Sequence, residues 1–243
     1  MLQGQRPSRD RCAVHDRRRG LAVRSEAVEL FLEEVDAVRD ALGLDHVHLL
    51  GQSWGGMLGM EYALLQPPGL ASLSVCDSPA SIPLWVAEAN RLRAELPEDV
   101  QETLARHERD GTTDDPAYEA ACMVFYDRHV CRVPWPDAVR RSMEQLPNEV
   151  SLTMNGPSEF HCIGTLKEWD ISGRLGEIGV PTLVVSGRHD EATAAVAGQV
   201  HDGIRGSEWV VLEESSHMPH VEEPARFAEV VGAFLERHDA GVE

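Results

Sequence analysis

No stretch of this 243-residue chain approaches the roughly 20 consecutive apolar residues that a membrane-spanning helix requires. The opening residues, Met1 to Ser25, also lack the apolar middle of a secretory signal. Basic residues are scarce, 22 Lys and Arg against 41 Asp and Glu. A net charge of −19 offers no basic face with which to neutralise phosphates, and this excludes the nucleic-acid binders. Cysteine is thin as well: Cys12, Cys76, Cys122, Cys131 and Cys162 are odd in number, scattered, and form no C-x-x-C pair. That usage supports neither a disulfide framework nor a zinc site and favours a reducing compartment. The expectation is therefore a cytoplasmic protein without metal or cofactor. Internal repeats and low-complexity tracts are absent. What remains is 42% hydrophobic and 26% charged, ordinary values for a globular chain long enough to bury a substantial core.

Charge is unevenly spread. Residues 1–25 hold seven arginines against Asp10 and Asp16, a net of +5, and show no hydrophobic period. This irregular basic segment reads as a basic tail, an arginine-rich targeting segment, or a mis-called start. From Ser25, a helix N-cap, the pattern sharpens: Val28, Phe31, Leu32, Val35, Val38 and Leu42 recur at helical spacing, and Gly43 ends the run. His46 to Leu50 reads as a short buried strand stopping at Gly51. A helix follows from about Gly55 to Gln66, stopped by Pro67-Pro68, and Ala71 to Cys76 reads as the next strand. Such alternation implies crossover units and a parallel sheet. His46 and His48 alternate on their strand, but no third ligand stands near them, and they read as strand-flank residues.

Between about 80 and 165 the strands stop. Helical stretches such as Leu84–Leu96 and Val100–Glu108 are punctuated by Pro97, Gly111, Pro116, Pro134, Pro136 and Pro147. Strands resume at Val180–Gly187 and Glu208–Leu212, and an amphipathic helix closes the chain from Pro224 to about Arg237. The expected organisation is an α/β core over 26–79 and 166–243, interrupted by a helical cap over 80–165.

The most informative segment is Gly51-Gln52-Ser53-Trp54-Gly55-Gly56. It matches G-x-S-x-G with an apolar strand before it and a helix after it, the setting of a nucleophile elbow. A serine at a tight strand-to-helix turn sits in a strained conformation, and bulky neighbours two positions away would clash. The helix N-terminus faces the serine, so the Trp54 N–H can donate to a developing oxyanion. A serine nucleophile needs a base, and the base an orienting acid, arranged in this architecture in the order Ser, Asp or Glu, His at strand ends. Gly187-Arg188-His189-Asp190-Glu191 follows one late strand and offers Asp190. Glu213-Glu214-Ser215-Ser216-His217 follows the next and offers His217. His189 and His220 lie nearby and read as solvated or supporting residues.

These segments together resemble the proline iminopeptidases and their amino-acid-amidase relatives in the α/β-hydrolase superfamily. The likeness rests on the elbow, Met154–Phe160, Gly164–Asp170, Gly187–Glu191 and His217-Met218-Pro219, and it runs from about Glu26 to the end. It implies an α/β-hydrolase core with a helical cap, and Ser53, Asp190 and His217 as a catalytic triad. It also implies that Glu159 and Glu191 hold the free α-amino group of a small peptide or amino-acid amide. Two carboxylates facing one cation accept an ammonium and reject a blocked amine. Trp54 and Phe160 offer apolar walls for a small ring such as proline. The expected reaction is release of an N-terminal residue, proline first. Alternatives are an ester, lactone or amide hydrolase indifferent to the amine, and an inactive homologue. A dehalogenase or epoxide hydrolase would carry Asp where Ser53 stands.

One departure from the family matters. Its members carry a His-Gly-Gly-Pro type of loop well upstream of the serine, supplying the second oxyanion N–H, and no such string occurs here. The strands that should precede the first helix do not fit into 25 residues either. The chain therefore reads as a homologue lacking its N-terminal part, with one sheet edge unfilled. Loss of one oxyanion donor costs roughly 10²–10³ in turnover.

Overall fold

The computed structural model describes residues 26–145 and 148–239. The arginine-rich opening, Cys12 and the Ser25 cap lie outside the described residues. Helix α1 (Glu26–Leu42) turns Val28 and Leu32 into the core, as the three-to-four spacing predicts. Strand β1 (Val47–Gln52) leads directly into α2 (Trp54–Leu64), which stops ahead of Pro67-Pro68, and β2 (Leu70–Cys76) follows. Arg39 and Asp36 of α1 clamp α2 through one phenol. Arg39 Nη1 donates to the Tyr62 hydroxyl at 2.7 Å, and that hydroxyl donates to Asp36 Oδ1 at 2.7 Å. Burial and the bond to Asp36 push the phenol up to about 12.

Five helices come next: α3 (Ile82–Arg93), α4 (Glu98–Asp110), α5 (Pro116–His129), α6 (Asp137–Glu144) and α7 (Asn148–Met154). Local chemistry starts two of them. Ser81 accepts the Leu84 N–H at the head of α3, and Asp115 accepts the Ala117 N–H at 2.8 Å at the head of α5. A proline sits in the first turn of each, where a missing N–H costs nothing. Leu92, Leu104, Tyr118, Phe125 and Phe160 close an apolar cluster among these helices, separate from the cluster beneath the sheet.

A 3₁₀ turn (Ser172–Glu177) returns the chain to β3 (Thr182–Gly187), α8 (Ala194–Gly203), β4 (Glu208–Leu212), the short α9 (Pro219–Glu222) and α10 (Pro224–His238). Among the described residues the sheet has the order β1-β2-β3-β4 and every pair is parallel. Parallel neighbours need crossovers, and helices supply them. All the strands therefore end at one edge, where open α/β sheets bind ligands.

Strand β3 is buried at every position, as a central strand covered on both faces must be. Strand β1 corrects the sequence reading. It was expected to be buried, yet Leu50 is 44% exposed. Among the described residues β1 pairs with β2 alone, so one of its sides has no neighbour. A short apolar run does not by itself distinguish a central strand from an edge. His48 is held on this strand by Ser72 Oγ, 2.7 Å from its Nδ1.

Candidate active site

Ser53 stands between the last residue of β1 and the first of α2, with φ 53° and ψ −123°. That backbone region is costly for a non-glycine residue, about 1–3 kcal/mol, and persists only where neighbours enforce it. They do so here. A Cβ on Gly51 would lie 2.0 Å from the carbonyl oxygen of Gly55, so only glycine permits the turn to close. The Ser53 N–H donates to the Cys76 carbonyl at 2.9 Å, and Ser78 Oγ donates to the Ser53 carbonyl at 2.8 Å. Trp54 opens α2, so its N–H belongs to the first turn, which has no acceptor within the helix. Its indole packs edge-on against Phe31, ring centres 5.6 Å apart.

Asp190 lies three residues beyond β3 and His217 five beyond β4, and both are buried. The two loops touch closely at Gly187, where a Cβ would come within 2.1 Å of the Ser216 carbonyl oxygen. Asp190 Oδ1 lies 2.8 Å from His217 Nδ1 and also accepts the Ala192 N–H at 2.8 Å. Glu222 fixes the histidine loop by accepting the N–H groups of Ser216 and Met218 and the Ser216 hydroxyl. From the elbow, Gln52 Nε2 donates to the His217 carbonyl at 2.8 Å. Trp85 presents its ring edge-on to the imidazole at 5.7 Å. Among the described residues no hydrogen bond joins Ser53 Oγ to the imidazole. His217 Nε2 instead faces Glu191 Oε1 at 3.9 Å.

The imidazole is held in an acidic enclosure. Burial opposes its charged form, but the charge and hydrogen bond of Asp190, then Glu159 and Glu222, outweigh burial and raise it above its ordinary value. Glu191 is fully buried, and neither carboxylate oxygen has a hydrogen-bond partner. Burial first, then the charges of Glu159 and Asp190, push it well above the usual carboxylate range. Glu159 is half-buried and burial pushes its carboxyl up too, with His217 opposing. Its carbonyl accepts the Trp85 indole N–H at 2.7 Å. Phe160 lies inside the helical cluster, 1% exposed, with its ring 4.9 Å from that of Phe125 and the Arg93 guanidinium above it. His220 is exposed, and the carbonyl of His189 lies 3.0 Å from His129 Nδ1.

Sequence reading passed over four side chains that meet this site: Gln52, Asp77, Trp85 and Glu222. Gln52 is the variable position of G-x-S, and Asp77 follows a strand end just as Asp190 nearly does; those were the available signals. Among the described residues no group of three or more His, Cys, Asp or Glu side chains converges as a metal site, and no helix is long and apolar enough to cross a membrane.

A parallel sheet that delivers a strained serine into a helix, with an acid and an imidazole beyond two later strands, defines an α/β hydrolase. The family model for the alpha/beta hydrolase fold matches residues 7–224. Proline iminopeptidases from Saccharolobus solfataricus and Heyndrickxia coagulans are each 39% identical, over 85% and 86% of this chain and 67% and 73% of their own lengths. Among solved structures, VinJ superposes with a TM-score of 0.85 at 49% identity, over 87% of this chain and 73% of its own. The proline iminopeptidase of Mycobacterium smegmatis does so with 0.81 at 46%, over 89% and 73%. The chain belongs to the alpha/beta hydrolase family, among the proline iminopeptidases and their relatives.

Proposed function

We propose that the chain is a serine hydrolase that releases an N-terminal residue, proline by preference, from small peptides or amides. Ser53 Oγ attacks the scissile carbonyl carbon while its proton passes to neutral His217 Nε2. Asp190 fixes the tautomer through Nδ1 and balances the imidazolium that forms. The N–H of Trp54 donates to the oxyanion. The imidazolium then returns its proton to the departing amine nitrogen, leaving an acyl ester on Ser53, which water hydrolyses by the same exchange. Glu159 and Glu191 pair with the substrate's α-ammonium, and the helices between 82 and 154 cap the site.

One observation carries this reading. Glu191 is a buried carboxyl with no hydrogen-bond partner, and it stands 3.9 Å from the nitrogen of His217 that must handle the reacting proton. An unpaired buried acid costs stability, and a substrate ammonium would satisfy it just where the scissile bond must lie. The iminopeptidase relatives supply the preference for proline.

The test compares prolyl p-nitroanilide with its N-acetylated form. The free amine should be favoured by roughly 2–5 kcal/mol in kcat/KM, the range for truncated buried charge pairs. Equal cleavage of the two would leave an esterase or amidase without amine recognition. Ser53→Ala should abolish hydrolysis, and hydrolysis that persisted would remove Ser53 as the nucleophile.

A further inference from the structure

The mechanism leaves a buried acid at the end of β2 unused. Asp77 follows the last residue of β2 in a left-handed conformation, φ 52°, and is 1% exposed. Its N–H donates to the Val185 carbonyl at 2.9 Å, and its Oδ1 accepts the Gly187 N–H at 3.2 Å. Those two bonds bind it to the end of β3, beside the loop that carries Asp190, and its carboxyl lies within hydrogen-bonding reach of that aspartate. Asp77 Oδ2 and Asp190 Oδ2 both lack a donor from the rest of the protein.

Two carboxylates this close and this buried cannot both keep their charge. The other groups facing Asp77 only add to the difficulty. Glu222 contributes negative charge from α9, and the Cys76 thiol on its own strand is itself pushed up, by burial first and then by Asp77. The Gly187 N–H opposes the effect but does not reverse it, and Asp77 is held well above the usual carboxylate range by burial and by Asp190. Asp190 already accepts from His217 and Ala192, so the proton belongs on Asp77.

We propose that Asp77 is a positioning residue for Asp190: it keeps its proton and donates it to Asp190 Oδ2, so that the two carboxyls share one negative charge and Oδ1 stays turned toward His217. The inference rests on the triad reading above. It gives Asp190 three donors, one from each structural neighbour: His217 after β4, Ala192 in its own loop and Asp77 after β2. The next residue, Ser78, donates to the carbonyl of Ser53. One short segment thus braces the nucleophile on one side and the orienting acid on the other.

The test reads the imidazole directly, by NMR titration of His217 assigned with a His217→Gln control, and does not depend on turnover. Because Asp77 is neutral, Asp77→Asn should leave the titration of His217 within about 0.3 pH unit of the native protein. Loss of an ionised carboxylate at this range would lower it by about one pH unit or more, and that result overturns the proposal. In kinetics, Asp77→Ala should lower kcat by about tenfold, the worth of one buried hydrogen bond, with KM unchanged, and Asp77→Asn should recover most of that loss. Full kcat in Asp77→Ala overturns the positioning role. If the alanine variant fails to fold, the Asn titration still decides. Activity surviving Ser53→Ala would instead overturn the triad reading, whatever Asp77 does.

Discussion

Gln52 reaches across the site to bind the backbone of His217: its Nε2 donates to the His217 carbonyl at 2.8 Å. The residue before the strained serine and the residue proposed as its base are thereby tied together, although 165 positions separate them. The bond sets the height of the histidine loop relative to the elbow, and small misplacements of a reacting group are costly in rate. Gln52→Ala should therefore lower kcat by about tenfold while costing only about 1 kcal/mol of stability. Steady-state kinetics alongside urea denaturation separates the two effects. A native kcat in the variant would deny the tie any part in alignment.

The acid side of the pH profile follows from the charges around His217. Its imidazole is raised above 6.5, because Asp190, Glu159 and Glu222 together outweigh burial. Only the neutral ring can accept the serine proton, so kcat/KM should fall with decreasing pH through a value above 6.5. Asp190→Asn removes the leading attractive partner and leaves burial in place. Its acid limb should move to lower pH, and kcat should drop by about 10⁴ because the tautomer is no longer fixed. The same shift contributes stability in the opposite sense. It is fully present below the ordinary histidine value and is lost as pH rises through the raised one. An acid limb at or below 6.5 in the native protein would contradict the assigned environment.

Much of this arrangement is legible in the amino-acid sequence. Ser53 directly follows β1, and Asp190 and His217 lie in the loops after β3 and β4; each apolar run and its following loop are local in sequence, so pattern alone picks out these candidate positions. The helical character of the region between 82 and 154 is legible too, through stretches such as Leu84–Leu96 and Val100–Glu108 punctuated by prolines and Gly111. An unfilled sheet edge is expected from the sequence, but its place at β1 and the exposed face of Leu50 are not, because an edge strand and a central one can carry the same short run. Nor is the meeting of Asp77 with Asp190. It depends on the register that sets Cys76 beside Val185, which places the end of β2 against the end of β3, and no spacing along the chain encodes a lateral register. The partnerless state of Glu191 is equally hidden. Sequence gives an acid beside an acid, and only packing shows that among the described residues no hydrogen-bond donor reaches its oxygens.

Glu191 should make the free protein less stable as pH rises. Its folded-state carboxyl holds a proton well above 4.5, its ordinary value, so over that window the native state binds more protons than the unfolded chain. Stability then falls with increasing pH until the raised value is passed. Glu191→Gln cannot ionise and should escape that decline. Its Tm should gain on the native protein as pH rises above about 4.5, at about 2–4 °C per kcal/mol for a chain of this size. Parallel Tm traces for the two proteins would show that Glu191 is not the buried acid described.

Substrate binding should release a proton. In the free protein burial, then the neighbouring charges of Glu159 and Asp190, shift Glu191 toward its neutral form. An N-terminal ammonium arriving beside it reverses the balance, because a nearby cation favours the ionised carboxyl. The displaced proton leaves for solvent if the amine keeps its own. Calorimetry with prolinamide at about pH 7, in phosphate and in Tris, reads this as a difference in binding enthalpy that scales with the ionisation enthalpy of the buffer, up to about one proton per site. Glu191→Gln should bind prolinamide more weakly and with a smaller buffer dependence, the remainder coming from Glu159, and N-acetylprolinamide should show none with either protein. Identical enthalpies in both buffers for the native protein would mean that Glu191 is already ionised before the amine arrives. Its lack of partners would then demand a different cation, and the amine-recognition reading would lose its chief support.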